Sequence, residues 1–409
     1  MSATFTPRHA RHTDELLRSI YLPRIADALT FAMSTYGIPL LVLTTTRSAT
    51  LTGAAFALEW IPRLAAFGWA GSIVDRRGAA VVFHLASLAR ALALAASAVL
   101  LHLHPSGTVA SATVMVLAAT TGVLTEFSYI AAETAGAAAS RRARGRAHRV
   151  QAVLLGIDQT ATLAGPALAG ILLLAGPMLA VITVLSLLAA MLALRTPPSP
   201  VAPAHAPKGQ SSAGLLTGWR TIRSLPALGW LMTGLTLSNL ATGLLQAAGP
   251  VIVVQHFRQS TTAVGLVWSA AAGATLLSVT LCRFALDRLG LWPVGAACAA
   301  LASLGCLAAA QAPDYLSYLI LVAVLMAGEG GMTVVLRTLR SRLIPPEKFG
   351  STLSATILIL LLPFPVAGVL TAFTPPGALG HVITACAALQ ALGLFCAFAH
   401  LRTDPALRT

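Results

Sequence analysis

Very little of this chain is charged. Only 13 of its 409 residues are acidic and 10% carry charge of either sign, while 56% are hydrophobic. Soluble globular domains run near one quarter charged, so a surface bathed in water on all sides is excluded. Aromatic residues are also scarce, at 6%, and the apolar runs greatly exceed the alternating segments of about 10 residues that build a transmembrane barrel. Five cysteines, Cys282, Cys298, Cys306, Cys386 and Cys396, share no paired spacing, which indicates neither a disulfide framework nor a zinc site. A Gly-rich loop ending in Lys-Ser or Lys-Thr is missing, so an ATP-driven pump is not expected. His102 and His104 stand together without acids, a weak metal signal. No metal or other cofactor is expected.

What the sequence does have is apolar length. A bilayer core about 30 Å thick takes roughly 20 apolar residues per helix, and runs of that length recur along the chain. The reading is an all-α membrane protein with twelve transmembrane helices, over about 19–43, 51–73, 79–102, 109–135, 150–174, 177–195, 227–254, 263–285, 290–310, 314–337, 350–373 and 378–401. An even number places both termini on one side. Residues 1–18 are polar, with His9, Arg11, His12, Asp14 and Glu15 and no small-residue cleavage site behind an apolar core, so the first span is expected to stay.

The formal net charge is +14, and its distribution matters more than its sum. Arg8, Arg11 and Arg18 precede the first span, Arg76 and Arg77 follow the second, and Arg141, Arg142, Arg144, Arg146 and Arg149 separate the fourth from the fifth. Lys208, Arg220 and Arg223 are central, Arg288 follows the eighth span, Arg340, Arg342 and Lys348 follow the tenth, and Arg402 and Arg408 close the chain. All fall on one side of the twelve-span arrangement; the other side holds little beyond Arg47 and Arg258. Basic residues accumulate in cytoplasmic loops, which predicts a bacterial-type inner (plasma) membrane with both termini in the cytoplasm. A nucleic-acid patch would not be divided among alternate loops, so nucleic acid is not an expected partner.

The chain divides once. "RTPPSPVAPAHAPKGQSSAGLLTGW" is too polar and too proline-rich to span, and reads as a semi-flexible linker. The expected units are 1–195 and 227–409, six helices each, joined by 196–226. A repeat supports this division: a uniform offset of 212 residues pairs Ser48 with Ser260, Thr50 with Thr262, Gly53 with Gly265, Asp75 with Asp287, Arg76 with Arg288 and Gly78 with Gly290. A looser match pairs "GPALAGIL" at 165–172 with "PFPVAGVL" at 363–370.

Two six-helix halves, the charged turn Gly71, Asp75, Arg76, Gly78 and its degenerate copy at Asp287, Arg288 and Gly290 together resemble the major facilitator superfamily, over essentially the whole chain. The resemblance implies two pseudo-symmetric six-helix bundles that rock about a midplane site, and a transporter rather than an enzyme. Spans 1, 4, 7 and 10 would line the cavity, with 2, 5, 8 and 11 beside them and 3, 6, 9 and 12 outside. Gly71, Asp75, Arg76, Gly78, Asp287 and Arg288 would latch cytoplasmic helix ends as gating residues. The plainer reading is that the arginines only set topology, but Asp75 contributes little to that rule.

Ionisable residues inside spans are costly and each asks for a role. Asp27, Glu126, Asp158 and Glu329 fall at similar depth on spans that the resemblance places around the cavity, and are candidates for proton coupling. The alternative is structural pairing, Asp27 with Arg24 and Glu59 with Arg63, each about one turn apart; Glu126 and Glu329 have no basic neighbour one turn away. Glu133 reads as an interfacial residue answering the arginine run after it. An arginine that stays charged favours an anionic cargo, and Arg63 is a better ligand candidate than Arg90, whose outer span suggests a structural pair. Thr30, Ser34, Tyr36, Glu59, Arg63, Tyr129, Gln159, Asn239, Gln246 and Trp268 are the substrate-binding candidates, any of which would serve equally as packing.

Gly165, Pro166 and Gly170 keep a Gly-Pro element of drug and proton antiporters, while Glu126 stands in the fourth span where those proteins carry an arginine. "TGAAFALEWIPRLAAFGWAGSIVDRRG" resembles bacterial exporters of the enterobactin-exporter type. The expectation is proton-coupled, alternating-access export of a small anionic metabolite such as a siderophore. Multidrug efflux is the alternative, a lysolipid flippase or a non-transporting sensor or scaffold less so. Expected partners are the solute, protons and the lipid bilayer, with the chain acting as a monomer.

Overall fold

The computed structural model describes residues 16–142, 147–194, 210–344 and 348–402. Every regular element among them is helical: α1 (Leu22–Thr46), α2 (Ala49–Arg77), α3 (Ala79–Leu103), α4 (Gly107–Arg142), α5 (Ala147–Ala175), α6 (Met178–Ala193), α7 (Gln210–Ser224), α8 (Pro226–Val251), α9 (Thr261–Leu289), α10 (Leu291–Ala309), α11 (Tyr315–Leu343), α12 (Phe349–Leu361), α13 (Pro363–Phe373) and α14 (Leu379–Leu401). The first part of the expected linker, 196–209, lies outside the described residues, as do Arg8, Arg11, Arg144, Arg146, Lys208 and Arg408.

The sequence repeat becomes two helices with the same length and the same ends. Helices α2 and α9 each run for 29 residues. Ser48 caps the first by accepting from Leu51 N at 3.2 Å, and Ser260 caps the second by accepting from Ala263 N at 3.3 Å; a serine oxygen in this place satisfies an amide that the helix cannot. At the far ends Gly78 and Gly290 stop the helices at φ +86° and +85°, a conformation open to glycine and strained for other residues. The ends of α2 define two rims of the molecule, the Ser48 rim and the Asp75 rim.

Among the described residues ten helices are long and apolar enough to cross a membrane, against twelve expected spans. Helix α6 falls short in length, at 16 residues, and α2 in composition, because Glu59, Trp60, Pro62 and Arg63 interrupt its apolar run. The eleventh span is broken at Leu362, where Pro363 opens α13; proline lacks the amide that would continue the ladder. Asn239 Nδ2 donates to the Leu360 carbonyl at 2.8 Å beside this break, serving a backbone acceptor that lipid could not. The linker also differs from expectation at its end, where α7 is helical and packs on α12.

Helices α1 to α6 pack into one bundle and α8 to α14 into another, and the two meet chiefly through α5 on α9 and α2 on α13. Helices α1 and α8 occupy the centre: 72% and 67% of their apolar windows are buried, against 28–44% for the others long enough to span.

Candidate functional site

The halves close on each other near the Ser48 rim. Gly53 lies against the backbone of Gly368 and Ala372, and its repeat partner Gly265 against Pro166 and Ala167; a side-chain carbon at either place would collide with main chain. Across the same seam Thr261 Oγ1 donates to Gly170 O at 3.0 Å, Ala167 N donates to Ser269 Oγ at 3.1 Å, and Gln255 Nε2 reaches Arg47 O at 3.4 Å. Trp60 stacks on Phe364 with ring centroids 4.5 Å apart, and Tyr36 meets Trp268 at 5.5 Å. Asp75, Arg76, Asp287 and Arg288 are exposed, and no ion pair joins any of them to a described residue. Gly71 is partly exposed, with open space around it.

Three arginines organise the interior of the first half, each engaged by a carboxylate from another helix. Arg90, fully buried, donates from Nη2 to Asp27 Oδ1 at 2.6 Å, from Nη1 to Ser128 Oγ at 3.1 Å and from Nε to Ser186 Oγ at 3.2 Å. Arg24 makes a two-pronged contact with Asp158, both bonds 2.7 Å, and a further one to Glu133 Oε1 at 2.5 Å. Arg63 donates from Nε to Glu126 Oε2 at 2.8 Å, its guanidinium 4.6 Å from the Trp60 ring centre and 4.9 Å from that of Phe31. Forked, charge-assisted bonds of this kind are the strong ones.

These partners correct the pairs read along single helices. Asp27 is held by Arg90 rather than Arg24, and Arg63 turns to Glu126 rather than Glu59. Spacing of one turn brings side chains onto one helix face, but here that face looks at a neighbouring helix carrying a better-placed partner. Glu126 therefore has its cation, from α2, and Glu133 pairs with Arg24 instead of only facing the arginine run.

Two buried carboxyls have no cation within ion-pair distance among the described residues. Glu59 is 4% exposed and its Oε2 has no hydrogen-bond partner. Glu329, in the opposite half, accepts from the Ser238 hydroxyl, which in turn accepts from Gln390 Nε2 at 2.8 Å. Ser238 and Gln390 were not among the sequence candidates; a serine and a glutamine inside otherwise apolar spans are the signal that was available. Phe31 and Phe364, which flank Arg63 and Trp60, carried no such signal.

The remaining candidates differ in what they leave free. The Thr30 hydroxyl is committed to Ala26 O at 2.8 Å, whereas Ser34 Oγ is buried without a partner. Trp268 is buried, Gln159 and Gln246 are half-buried, and Tyr129 is 40% exposed, with Arg24 5.4 Å from its ring centre. Asp158 and Glu133 keep 32% and 52% of their side chains exposed, so the Arg24 cluster forms a wet mouth on the Asp75 side. The chemistry on offer is binding and charge exchange: aromatic faces, paired arginines and two uncompensated acids. Among the described residues no group of three metal-ligating side chains forms.

A model of the Major Facilitator Superfamily matches residues 24–368. No curated protein sequence matches the chain. Among solved structures, a bacterial homologue of the iron transporter ferroportin in its inward-facing state superposes with a TM-score of 0.71 at 18% identity, over 95% of this chain and 99% of that one. The nucleoside transporter NupG gives 0.71 at 14%, over 96% and 100%, and a D-xylose–proton symporter 0.69 at 15%, over 91% and 96%. At these identities the likeness is one of fold.

Proposed function

Because this chain belongs to the major facilitator superfamily, whose membership makes it a multi-pass membrane transporter, we propose that it exports a small organic solute by proton-coupled alternating access. The observation that carries this reading is the pair of uncompensated buried acids, Glu59 and Glu329, one in each half of a molecule whose halves close on each other at the Ser48 rim. A carboxyl buried without a counter-charge is costly as an anion, so it exchanges its proton as access to water changes. Basic residues support a bacterial-type inner (plasma) membrane with the Asp75 rim and both termini in the cytoplasm: Arg76, Arg77, Arg220, Arg223, Arg288, Arg342, Lys348 and Arg402 cluster there, with Arg47 and Arg258 opposite. On this orientation the closed Ser48 rim is the outer one, and the charged turn at the inner rim is unlatched.

For the cargo, the geometry favours an amphipathic cation or neutral compound, as in multidrug efflux, over the anion expected from the sequence. Arg24, Arg63 and Arg90 already hold carboxylates, while Glu59 and Glu329 have no cation within ion-pair distance among the described residues. A siderophore-type anion keeps one route, displacing Glu126 from Arg63 against the faces of Trp60 and Phe31. Proteoliposomes holding a pH dye decide between them. Proton movement driven by a lipophilic cation such as tetraphenylphosphonium supports the first reading, and movement driven only by a catecholate siderophore the second. Neither cargo moving protons, or flux unchanged in both Glu59→Gln and Glu329→Gln, refutes the coupling.

A further inference from the structure

Helix α7 lies across the Asp75-rim end of α8 and against α12. Between these three helices is a groove of about 700 Å³, walled by Trp219 and Arg223 of α7, Trp230, Thr233 and Leu237 of α8, and Ile359 of α12. Its described walls come from α7 and the second bundle. Helices α8 and α12 contain no ionisable residue, and the only charges on α7 are Arg220 and Arg223. Behind the wall stands Arg340, 8% exposed, with Nη2 3.9 Å from Sδ of the lining residue Met232 and an Nε without a hydrogen-bond partner. Among the described residues the charges at the groove are therefore positive, and no carboxylate lines it to receive an ammonium headgroup.

Its rim has the marks of a membrane–water boundary. Trp219 and Trp230 are 47% and 38% exposed, Leu216 shares the outward face of α7 with Trp219 and Arg223, Thr221 on the opposite face is buried, and buried Ile222 lines the groove between them. Trp230 is fixed in place by stacking on His400 at 4.0 Å. Indoles with one dry and one wet edge, beside arginines and above an apolar trough, suit a lipid whose phosphate sits at the rim.

We propose that this groove binds an anionic phospholipid, its phosphate against Arg223 with Arg220 beside it, and an acyl chain along Leu237 and Ile359. The lipid ties α7, the described end of the connection between the halves, to the second bundle. The full-length protein in neutral detergent tests this, with thermal unfolding and native mass spectrometry read against added phosphatidylglycerol or phosphatidylcholine. Phosphatidylglycerol raises the melting temperature and is retained in the gas phase; phosphatidylcholine does neither. Arg220→Gln with Arg223→Gln, both on exposed side chains, weakens phosphatidylglycerol binding roughly tenfold or more, while Arg258→Gln at the opposite rim leaves it intact. Equal binding of the two lipids, unchanged affinity in the double variant, or the same stabilisation by inorganic phosphate alone overturns the proposal.

Discussion

Asp27 and Arg90, 63 positions apart in the chain, meet at 2.6 Å with the guanidinium wholly shielded from solvent. Removing one partner strands the other charge, at a cost of about 3–5 kcal/mol. Asp27→Asn and Arg90→Gln are each expected to lower the melting temperature of the detergent-solubilised protein. The double variant should recover part of the loss, since no charge is then left alone. If the two losses simply add, the pair is not the source of the stability.

Glu59→Gln and Glu329→Gln keep shape and remove only the ability to ionise. Neither carboxyl has a cation to lose, so melting temperatures should hold or rise, while cargo-driven proton flux in vesicles falls at least about tenfold, the scale of a lost acid–base group. Unaltered flux in both would refute the coupling proposed for these two acids.

Trp60 and Phe364 join the halves by a stacked contact at 4.5 Å. Such pairs contribute about 1 kcal/mol beyond the area they bury, so Trp60→Ala should shift the balance roughly fivefold toward opening at the Ser48 rim. Spin labels placed across that rim would read the change as a longer distance; an unchanged distance distribution would count against the seam described here.

Asp75 makes no ion pair with a described residue. If it latches the Asp75 rim only on closure, Asp75→Asn is expected to leave stability within about 0.5 kcal/mol of the parent's, as for other exposed sites, while slowing turnover. A stability loss without a transport defect would contradict a gating role.

Asp314 caps α11 from outside the spans. The Ser317 amide donates to its Oδ1 and the Ser317 hydroxyl to its Oδ2, both at 2.9 Å, and these bonds hold the carboxyl below its usual 3.8. With a lowered folded value, the stabilisation is present above that usual value and disappears as pH falls through the lower one. Hydrogen exchange at Ser317 should accelerate only in strong acid in the parent protein and at all pH in Asp314→Ala.

The helical spans and the repeat were legible because they rest on local rules. Ser48 and Ser260 cap, Gly78 and Gly290 stop, and apolar length does the rest. Ion pairing was not legible: Arg24 and Arg63 each have an acid one turn away, yet the packing of α1, α2, α3, α4 and α5 turns them to other helices. Helix α7 was hidden for another reason, since the proline-rich stretch before it carries the composition of a flexible connector into a segment that packs on α12.

The seam at the Ser48 rim is made of close backbone, hydroxyl bonds and stacked rings, with no ion pair crossing it among the described residues. Dissolved ions screen charges, not ring stacking or main-chain contact. Opening on that side should consequently be indifferent to the saltiness of the medium it meets, whereas the Arg24 mouth, with its half-exposed carboxylates, will feel the ionic strength on its own side. The molecule thus presents one face whose closure is insulated from salt and another that is sensitive to it.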